Sequence, residues 1–527
     1  MPEPLAPTRR AVLRAAALTP LAVAATGCGG STVLGDRPTV RVAVSWSAGE
    51  LGAFRDVLAG LNHLPGFGPM TYDVTPVPFG DDIGTAPAAR GAGRLDLVML
   101  PLPGELRRHL DTLAPIPTDL WPDSPVGSAG SAARYAPVWR SLLFAAGPRA
   151  NGPGRLLPYG LPFKMSNKSA VWYDRDLFRR LHLRPPSTWA QWLRLNQALR
   201  SAGRRPLALG VADGWSLTDF FENVLVGTSP STYERLARDP AHRPALWGSA
   251  PVRACLRRLA DLWSPAGTLA GGVTGSLVRQ FPEAVLEVFG YHRAAMVVVA
   301  DYAEPYVRRF ATGDGDNSPG RSSSGRLPAG HGSVRGSGGT DDPGRIGVFR
   351  FPRMSSDLPA PLVAGGDVMV LTRPAGPNAV DLLRRLAHPL APRPWIASTG
   401  GFIAADHDTP AGSYSPQAAP LAAELRTGTF HFDLSDQLGA VGSREGMWRA
   451  LKDFLVDVSP EHDGGEGRTV DAAVERFVAR MRLAEERERA SDPEDPEDPG
   501  DTGDPGDPGD PGGTSRDTGT GTGGGRW

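Results

Sequence analysis

The chain has 527 residues and a formal net charge of −1, from 56 basic and 57 acidic side chains. This balance gives no global basic field and argues against nucleic acid as a partner. The chain has two cysteines, Cys28 and Cys255. If Cys28 is modified, as argued next, Cys255 has no partner and the fold uses no internal disulfide.

The first 28 residues have the pattern of an export signal. Arg9 and Arg10 form a twin arginine, an apolar run follows at 15–25, and small residues precede Cys28. The run is shorter than the roughly 20 apolar residues that cross a bilayer, so a secretory signal of the Tat type is predicted. The small residues before Cys28 resemble a lipobox, which makes Cys28 the predicted lipidation site. The alternative is a plain secretory signal cut elsewhere; both place the working protein outside the cytoplasmic membrane.

After a predicted linker at 29–38, strands and helices alternate. A strand is predicted at 40–46, where β-branched residues recur at alternate positions. Ser47 and Glu50 have the spacing of a capping box, and apolar residues at offsets of three and four predict the helix that follows. A second buried strand is predicted at 95–100.

The same alternation continues beyond residue 180. Thr188 and Gln191 form a second capping-box pattern, and Gly203 is predicted to end that helix. Further strands are predicted at 206–211, 294–299, 345–351 and 367–371. The alternation favours parallel α/β sheets, and roughly 450 ordered residues exceed what one core usually supports, so two lobes are expected.

Two segments contain too few apolar residues to offset the entropy of ordering. The first is a Gly/Ser-rich insert at 313–344, and the second is an acidic Pro/Gly tail at 491–527. Both are predicted to be disordered.

Signatures of catalysis are missing from the sequence. The histidines are scattered, and the chain has neither a G-x-S-x-G motif nor a Gly-Lys dipeptide for a Walker A loop. No metal site, no cofactor and no enzymatic activity are therefore expected. A carboxylate pair for glycoside hydrolysis stays open, because such pairs meet in space and not in sequence.

Aromatic residues stand at predicted strand ends, where open α/β sheets bind ligands. Trp46, Trp215 and Tyr302 each follow a predicted strand. Sugars have apolar faces and hydroxyl rims, so aromatic plates edged by polar groups are typical of a sugar site. For Trp46 and Trp215, a role as such a plate and a place in the core are both open, whereas Trp189, Trp192 and Trp263 have the pattern of core residues. Lys164 and Lys168 are either rim donors or part of a solvated loop.

Several short stretches between about 39 and 481 carry a family likeness. They are 44–50, 168–173, 187–189, 214–215 with 219–222, 294–297, 432–436, 446–451 and 470–474. Their order behind a lipobox resembles the substrate-binding lipoproteins of carbohydrate ABC importers, the extracellular solute-binding family that includes maltose-binding protein. The insert and the acidic tail depart from that family's pattern.

The resemblance implies a two-lobed α/β fold like that of periplasmic binding proteins, with a hinge and a ligand cleft between the lobes. Lobe 1 is expected at 39–141 plus 294–371, and lobe 2 at 142–293 plus 372–490. The ligand would stabilise the closed form, which would dock on a membrane permease powered by a separate ATPase.

The resemblance also implies a set of ligand-binding residues: Trp46, Asp96, Lys164, Trp215, Glu222, Tyr302, Gly366, Asp367 and Gly401. Trp46 and Trp215 would be stacking plates, and Tyr302 a further aromatic contact. Gly366, Asp367 and the Gly400–Gly401 pair would line the opposite wall. Asp96 would either orient a loop or satisfy backbone donors, and Glu222 would be a rim acceptor or a solvated side chain.

The function predicted from the sequence is that of a monomeric, lipid-anchored, extracytoplasmic substrate-binding component of an ABC importer for a sugar or oligosaccharide. Three alternatives remain at this point: a cell-surface glycoside hydrolase, a sensory or adhesive module that is not coupled to transport, and a family member whose cleft no longer binds sugar.

Overall fold

The computed structural model describes residues 37–46, 48–79, 94–121, 134–147, 156–312, 344–460 and 469–491. The predicted signal with Cys28, the linker before residue 37, Ser47, the insert up to residue 343 and the tail after residue 491 lie outside the described residues. Within the described ranges, no helix combines the length and the apolar character that crossing a membrane requires.

Strands form the centre of both lobes. The described residues contain fourteen of them: β1 (Thr39–Val44), β2 (Asp73–Pro78), β3 (Leu97–Leu100), β4 (Leu113–Ala114), β5 (Phe144–Ala146), β6 (Leu156–Pro158), β7 (Leu161–Asn167), β8 (Ala170–Asp174), β9 (Arg205–Ala208), β10 (Ala294–Val298), β11 (Ile346–Arg350), β12 (Val363–Thr372), β13 (Ile403–Ala404) and β14 (His431–Phe432).

Helices cover the sheets. The α-helices in the described ranges are α1 (Ala48–Gly60), α2 (Pro137–Leu143), α3 (Arg175–Arg180), α4 (Trp189–Ser201), α5 (Ser216–Thr228), α6 (Pro230–Arg238), α7 (Arg243–Leu246), α8 (Ala250–Trp263), α9 (Gly272–Val278), α10 (Phe281–Phe289), α11 (Glu304–Thr312), α12 (Pro377–Leu386), α13 (Arg393–Ser398), α14 (Ala418–Thr427), α15 (Leu434–Gln437), α16 (Met447–Asp457) and α17 (Val470–Ser491).

The large sheet has the order β13-β7-β12-β3-β1-β2, and β4 and β14 also pair with β12. β1 is parallel to β2 and β3, but β12 is antiparallel to β3 and β7. The prediction of parallel sheets is therefore wrong for this sheet, which is mixed. The physical reason is connectivity: β7 carries the chain out towards the other lobe, and β12 carries it back.

The small sheet has the order β11-β8-β10-β9 and defines the second lobe. β10 is parallel to β9, whereas β8 is antiparallel to both β10 and β11. The molecule is thus a two-lobed α/β protein, as the sequence predicted. A separate two-stranded ribbon pairs β5 with β6.

The described chain crosses between the lobes at three places. β7 passes into β8 through Lys168 and Ser169, β11 returns to β12 through 351–362, and β14 leads through Asp433 into α15. The sheets therefore divide the chain differently from the predicted lobe boundaries. β7, β13 and β14 belong to the large sheet and β10 to the small one, because a strand's own sequence does not say which sheet it joins.

The predicted start and end of helix α4 agree with the structure. Thr188 Oγ1 accepts a hydrogen bond from the Gln191 backbone N–H, and Gln191 Oε1 accepts one from the Thr188 N–H, so the capping box is confirmed. The helix ends at Ser201, and Gly203 has φ +71°, a conformation that favours glycine.

The small-sheet lobe encloses a core rich in aromatic rings. Trp189, Trp192 and Trp263 are buried there, as predicted. Trp192 packs edge-to-face on Trp189 and Phe351, and Trp263 packs edge-to-face on Phe220. Cys255 is a buried free thiol in the same core.

Candidate functional site

A cleft of about 250 Å³ lies between the two sheets. Its described lining residues come from both lobes and from the hinge: Ser45, Trp46, Glu50, Pro101, Leu102, Lys164, Ser166, Lys168, Trp215, Phe281, Tyr302, Tyr306, Gly366, Asp367, Ser435, Asp436 and Trp448. The carboxyl ends of β1, β3 and β10 point to this cleft, which is where α/β sheets bind ligands.

A wider depression of about 900 Å³ lies at the other end of the large sheet. It is lined by the beginnings of β1 and α12 together with Arg94 and Asp96. We take the smaller cleft as the candidate site, because it combines aromatic walls, convergent polar groups and the carboxyl strand ends.

One wall of the cleft is a cluster of aromatic rings, here called the aromatic wall: Trp215, Phe281, Tyr302 and Tyr306. The centroid of Trp215 lies 5.6 Å from Phe281 and 5.8 Å from Tyr302, and Phe281 lies 5.3 Å from Tyr306. All three contacts are edge-to-face, a geometry in which aromatic rings attract one another. The small-sheet lobe thus presents an apolar surface to the cleft.

Trp46 lies on the opposite side of the cleft, at the edge of the core. Its ring packs edge-to-face on Phe54 at 4.9 Å and on Trp395 at 5.0 Å, so most of it belongs to the core. Its Nε1–H donates a hydrogen bond of 2.8 Å to Asp367 Oδ2, and the residue still lines the cleft.

Lys164 is buried within β7 and not in a solvated loop. Its Nζ lies 2.7 Å from Glu50 Oε1 and 5.2 Å from the centroid of Trp395. Burial alone would lower the pKa of Lys164, but the carboxylates of Glu50 and Asp367 outweigh it and hold that pKa above its ordinary value. The lysine is therefore charged and already paired.

A second ion cluster lies at the hinge. Lys168 Nζ lies 2.5 Å from Asp433 Oδ2 and 3.0 Å from Asp436 Oδ2. Asp433 also accepts hydrogen bonds from the Asp436 backbone N–H and the Ser435 hydroxyl, which caps α15. Burial opposes charge on Lys168, but the two carboxylates raise its pKa well above the usual value.

The glycine at 366 is required by close packing between β7 and β12. A Cβ there would lie 2.2 Å from the backbone oxygen of Lys164. The absence of a side chain lets β7 and β12 approach, and it places Asp367 beside Trp46 at the edge of the cleft.

Comparison with known proteins agrees with the two-lobed fold. Residues 114–239 match the family model of bacterial extracellular solute-binding proteins. The osmoprotective compounds-binding protein GgtB of Synechocystis is 24% identical over 413 residues, which is 76% of this chain and 82% of GgtB. The solved structure of the bacterial solute receptor AcbH superposes with a TM-score of 0.61 at 14% identity, covering 86% of this chain and 99% of AcbH.

A second solved structure, the solute-binding protein RafE in complex with raffinose, superposes with a TM-score of 0.58 at 12% identity and covers 85% of this chain and 99% of RafE. The chain is thus similar to the bacterial extracellular solute-binding proteins. Its fold is the two-lobed fold of those proteins, and the relatives named here are binding proteins rather than enzymes.

The structure brings six of the nine predicted site residues of this solute-binding fold to the cleft. They are Trp46, Lys164, Trp215, Tyr302, Gly366 and Asp367. Three others lie elsewhere: Asp96, Glu222 and Gly401.

Asp96 lies at the amino end of β3, on the far side of the sheet from the cleft. Its Oδ2 accepts a hydrogen bond of 3.0 Å from the Arg41 backbone N–H, and Arg94 lies 3.7 Å away. Of its two predicted roles, the structure supports the satisfaction of a backbone donor.

Glu222 is fully buried at the hinge and is neither a rim acceptor nor solvated. It accepts hydrogen bonds from the Tyr233 hydroxyl at 2.6 Å and from the backbone N–H groups of Leu434 at 2.6 Å and Ser435 at 3.1 Å. Burial and then the nearby Asp433 raise the pKa of Glu222 well above its usual value. Glu222 thus fastens α15 to the small-sheet lobe.

Gly401 lies behind the aromatic wall. It has φ +66°, and a Cβ there would lie 2.8 Å from Pro305 and 3.0 Å from the Tyr302 backbone oxygen. Its N–H donates to Glu304 Oε2 at 2.9 Å. The turn therefore supports Tyr302 from behind and does not line the cleft.

Several lining residues were not selected from the sequence, among them Glu50, Phe281, Tyr306, Asp436 and Trp448, whereas Lys168, predicted as a rim donor or a loop residue, does line the cleft. Phe281 and Trp448 stand at the beginnings of α10 and α16, whereas the sequence search looked for aromatics at strand ends. A search for aromatic residues at helix starts would have found both.

Two buried polar groups near the cleft have no hydrogen-bond partner among the described residues. One is the Nε1–H of Trp448, and the other is the carboxylate of Asp219, where both oxygens are unpartnered. Burial raises the pKa of Asp219 well above its usual value, although Lys168 opposes the shift.

Proposed function

We propose that this protein is the monomeric, extracytoplasmic substrate-binding component of an ABC importer, and that it binds a sugar or oligosaccharide in the cleft between its lobes. The six predicted residues that line the cleft are proposed to contact the ligand. The protein would carry no catalytic activity of its own.

The observation that carries this proposal is the chemical contrast between the two sides of the cleft. The aromatic wall offers flat apolar surfaces, and the facing residues Lys164, Asp367 and Asp436 offer donors and acceptors. A pyranose has the matching contrast between its C–H face and its hydroxyl edge. Trp448 also lines the cleft, and its indole N–H has no hydrogen-bond partner among the described residues.

Related proteins support the choice of a saccharide. The alpha-glucosides-binding periplasmic protein AglE of Rhizobium meliloti is 29% identical over 86 residues, and the multiple sugar-binding protein of Streptococcus mutans is 27% identical over 73 residues. These matches cover 15% and 14% of the chain, so they support the class of ligand and not a particular sugar.

Membrane attachment through Cys28 and delivery to a permease are further parts of the proposal. They rest on the lipobox-like pattern and on the relation to extracellular solute-binding proteins. Labelling of cells with a radioactive fatty acid tests the anchor: label is expected on the protein and is expected to vanish in Cys28→Ser. Label retained in that variant would contradict lipidation at Cys28.

Binding is tested by the melting temperature and tryptophan fluorescence of the purified chain against a panel of mono- and oligosaccharides. Ligand at 100 times its Kd stabilises the native state by about 2.7 kcal/mol, which raises the Tm of a chain of this size by roughly 3 °C. Trp215→Ala is expected to abolish the shift, whereas the control Tyr291→Ala, an exposed aromatic outside the cleft, retains it. A folded protein that responds to no saccharide would overturn the proposal.

A further inference from the structure

Carboxylates outnumber cations around the cleft. The charged lining residues in the described part of the chain are Glu50, Lys164, Lys168, Asp367 and Asp436. Two more carboxylates, those of Asp219 and Asp433, lie behind the lining and are almost completely buried.

Each of the two lysines already forms an ion pair with a carboxylate. Lys164 pairs with Glu50, and Lys168 is shared between Asp433 and Asp436. Asp367 accepts the Trp46 indole N–H but forms no ion pair within the described residues. The cleft therefore contains more carboxyl groups than its own lysines can pair.

Asp219 differs from the other carboxyl groups around the cleft. Both of its carboxyl oxygens are buried and have no hydrogen-bond partner in the described structure. It lies in the first turn of α5, four residues after Trp215 of the aromatic wall. The charges that act on it are those of Lys168, Asp433 and Asp436. A buried carboxyl without a partner is costly, and a cation brought by a ligand would relieve that cost.

The carboxylates of Asp367 and Asp436 both line the cleft. A Cβ at Gly365 would lie 2.9 Å from Asp436 Oδ2 and 2.6 Å from Lys168 Cε, so the glycine lets these two side chains pack against β12. Residues two apart on a strand share a face, and Gly365 and Asp367 are two apart on β12. The carboxylates of Asp367 and Asp436 thus border the same part of the cleft, opposite aromatic rings that also attract cations.

We propose that the solute carries a cationic amine on its saccharide framework, and that the ammonium group lies between Asp367 and Asp436 with Asp219 behind them. This inference rests on the saccharide-binding function proposed above and adds the charge of the ligand. A neutral sugar would leave the excess of carboxylates uncompensated, and an acidic sugar would increase it.

The test uses sugars that differ in one substituent. Isothermal titration calorimetry of the purified chain at pH 7.5 compares glucosamine, N-acetylglucosamine and glucose, their β-1,4-linked dimers, and the corresponding galactose series. Within the series that binds, the amine is expected to bind at least tenfold more tightly than its acetamide and hydroxyl counterparts. In Asp219→Asn and in Asp436→Asn, that preference is expected to fall to threefold or less while binding of the hydroxyl sugar persists. The control Asp453→Asn, on the outer surface of α16, retains the full preference.

The outcomes separate this inference from the function on which it rests. If neutral sugars bind the wild-type protein as tightly as their amines, the cationic ligand is overturned and the saccharide-binding function stands. If no member of either series binds, the cationic ligand is overturned, and the saccharide-binding function is decided separately by the wider saccharide panel. The comparison of ligands on the wild-type chain does not depend on the folding of the variants. If Asp219→Asn and Asp436→Asn retain a tenfold preference, the assigned ammonium position is overturned.

Discussion

The ammonium group of Lys168 lies 2.5 Å from Asp433 Oδ2, and this ion pair joins two of the crossings between the lobes. Lys168 lies where β7 passes into β8, and Asp433 lies where β14 leads into α15. Because Lys168 also lines the cleft, the same side chain links the hinge to the ligand site.

Removal of the Lys168 charge tests this linkage. Lys168→Met leaves Asp433 and Asp436 buried without their cation, and breaking a buried pair in this way costs about 3–5 kcal/mol. We expect a corresponding loss in the free energy of unfolding, measured by urea denaturation. Arg235→Met is the matched control, because its 3.9 Å pair with Asp239 is largely exposed and contributes about 0–1 kcal/mol. Equal losses in the two variants would show that the hinge pair has no special role.

The raised pKa of Asp301 leads us to expect that the free energy of unfolding depends on pH. Burial raises its pKa to about 7, and the Asn167 backbone N–H and the charge of Lys164 offset only part of that rise. The native state therefore holds a proton that the unfolded chain releases near pH 4, so this group's stabilising contribution is lost as the pH rises from about 4 towards 7, by at most about 1.4 kcal/mol per pH unit.

Asp301→Asn is expected to remove this contribution. Urea unfolding at pH 4.5, 5.5, 6.5 and 7.5 should give a variant whose stability declines less with rising pH than that of the wild type. The control Asp111→Asn alters an exposed side chain and should follow the wild type. Parallel curves for Asp301→Asn and wild type would contradict the assignment.

The hydrogen bonds that Glu222 accepts from the start of α15 are expected to contribute to the stability of the folded protein. Glu222→Gln replaces one of two acceptor oxygens by an amide donor, which faces backbone N–H groups that need an acceptor. Leaving a buried donor unsatisfied costs about 1–3 kcal/mol. Thermal unfolding should show this loss, while Glu234→Gln, a more exposed carboxylate on α6, should leave the Tm within experimental error. An unchanged Tm in Glu222→Gln would contradict the hinge role.

The close approach at Gly366 predicts that the pairing of β7 with β12 does not tolerate a larger side chain at this position. In Gly366→Ala the new methyl group would meet the Lys164 backbone oxygen at 2.2 Å, which the strands can relieve only by moving apart. Overpacking of this kind costs about 1–3 kcal/mol, and saccharide affinity should fall as well because Asp367 moves with the strand. In Gly52→Ala the added methyl group on α1 meets nothing within 4 Å, so stability should hold or rise. A Gly366→Ala variant as stable as wild type would refute the close approach.

Local sequence signals determined which elements form and where several of the cleft residues lie. The capping box at Thr188 and Gln191 and the left-handed Gly203 follow from neighbouring residues alone. Trp46 and Tyr302 lie at the cleft because each lies just beyond the carboxyl end of a strand, β1 and β10 respectively, and the carboxyl ends of strands gather at one edge of a sheet. The alternation of strands and helices likewise fixed the α/β class and the expectation of two lobes.

Only the tertiary structure decided the membership of the sheets and the electrostatics of the site. β10 joins the small sheet and β14 the large one, although nothing in their own residues distinguishes them. The hinge cluster joins Lys168 to Asp433 and Asp436, which lie 265 and 268 positions away along the chain. Burial and the distance between charges set the state of such groups, and both depend on how distant segments meet. For the same reason Asp96 and Glu222, which have the residue type of ligand-binding groups, support backbone donors instead.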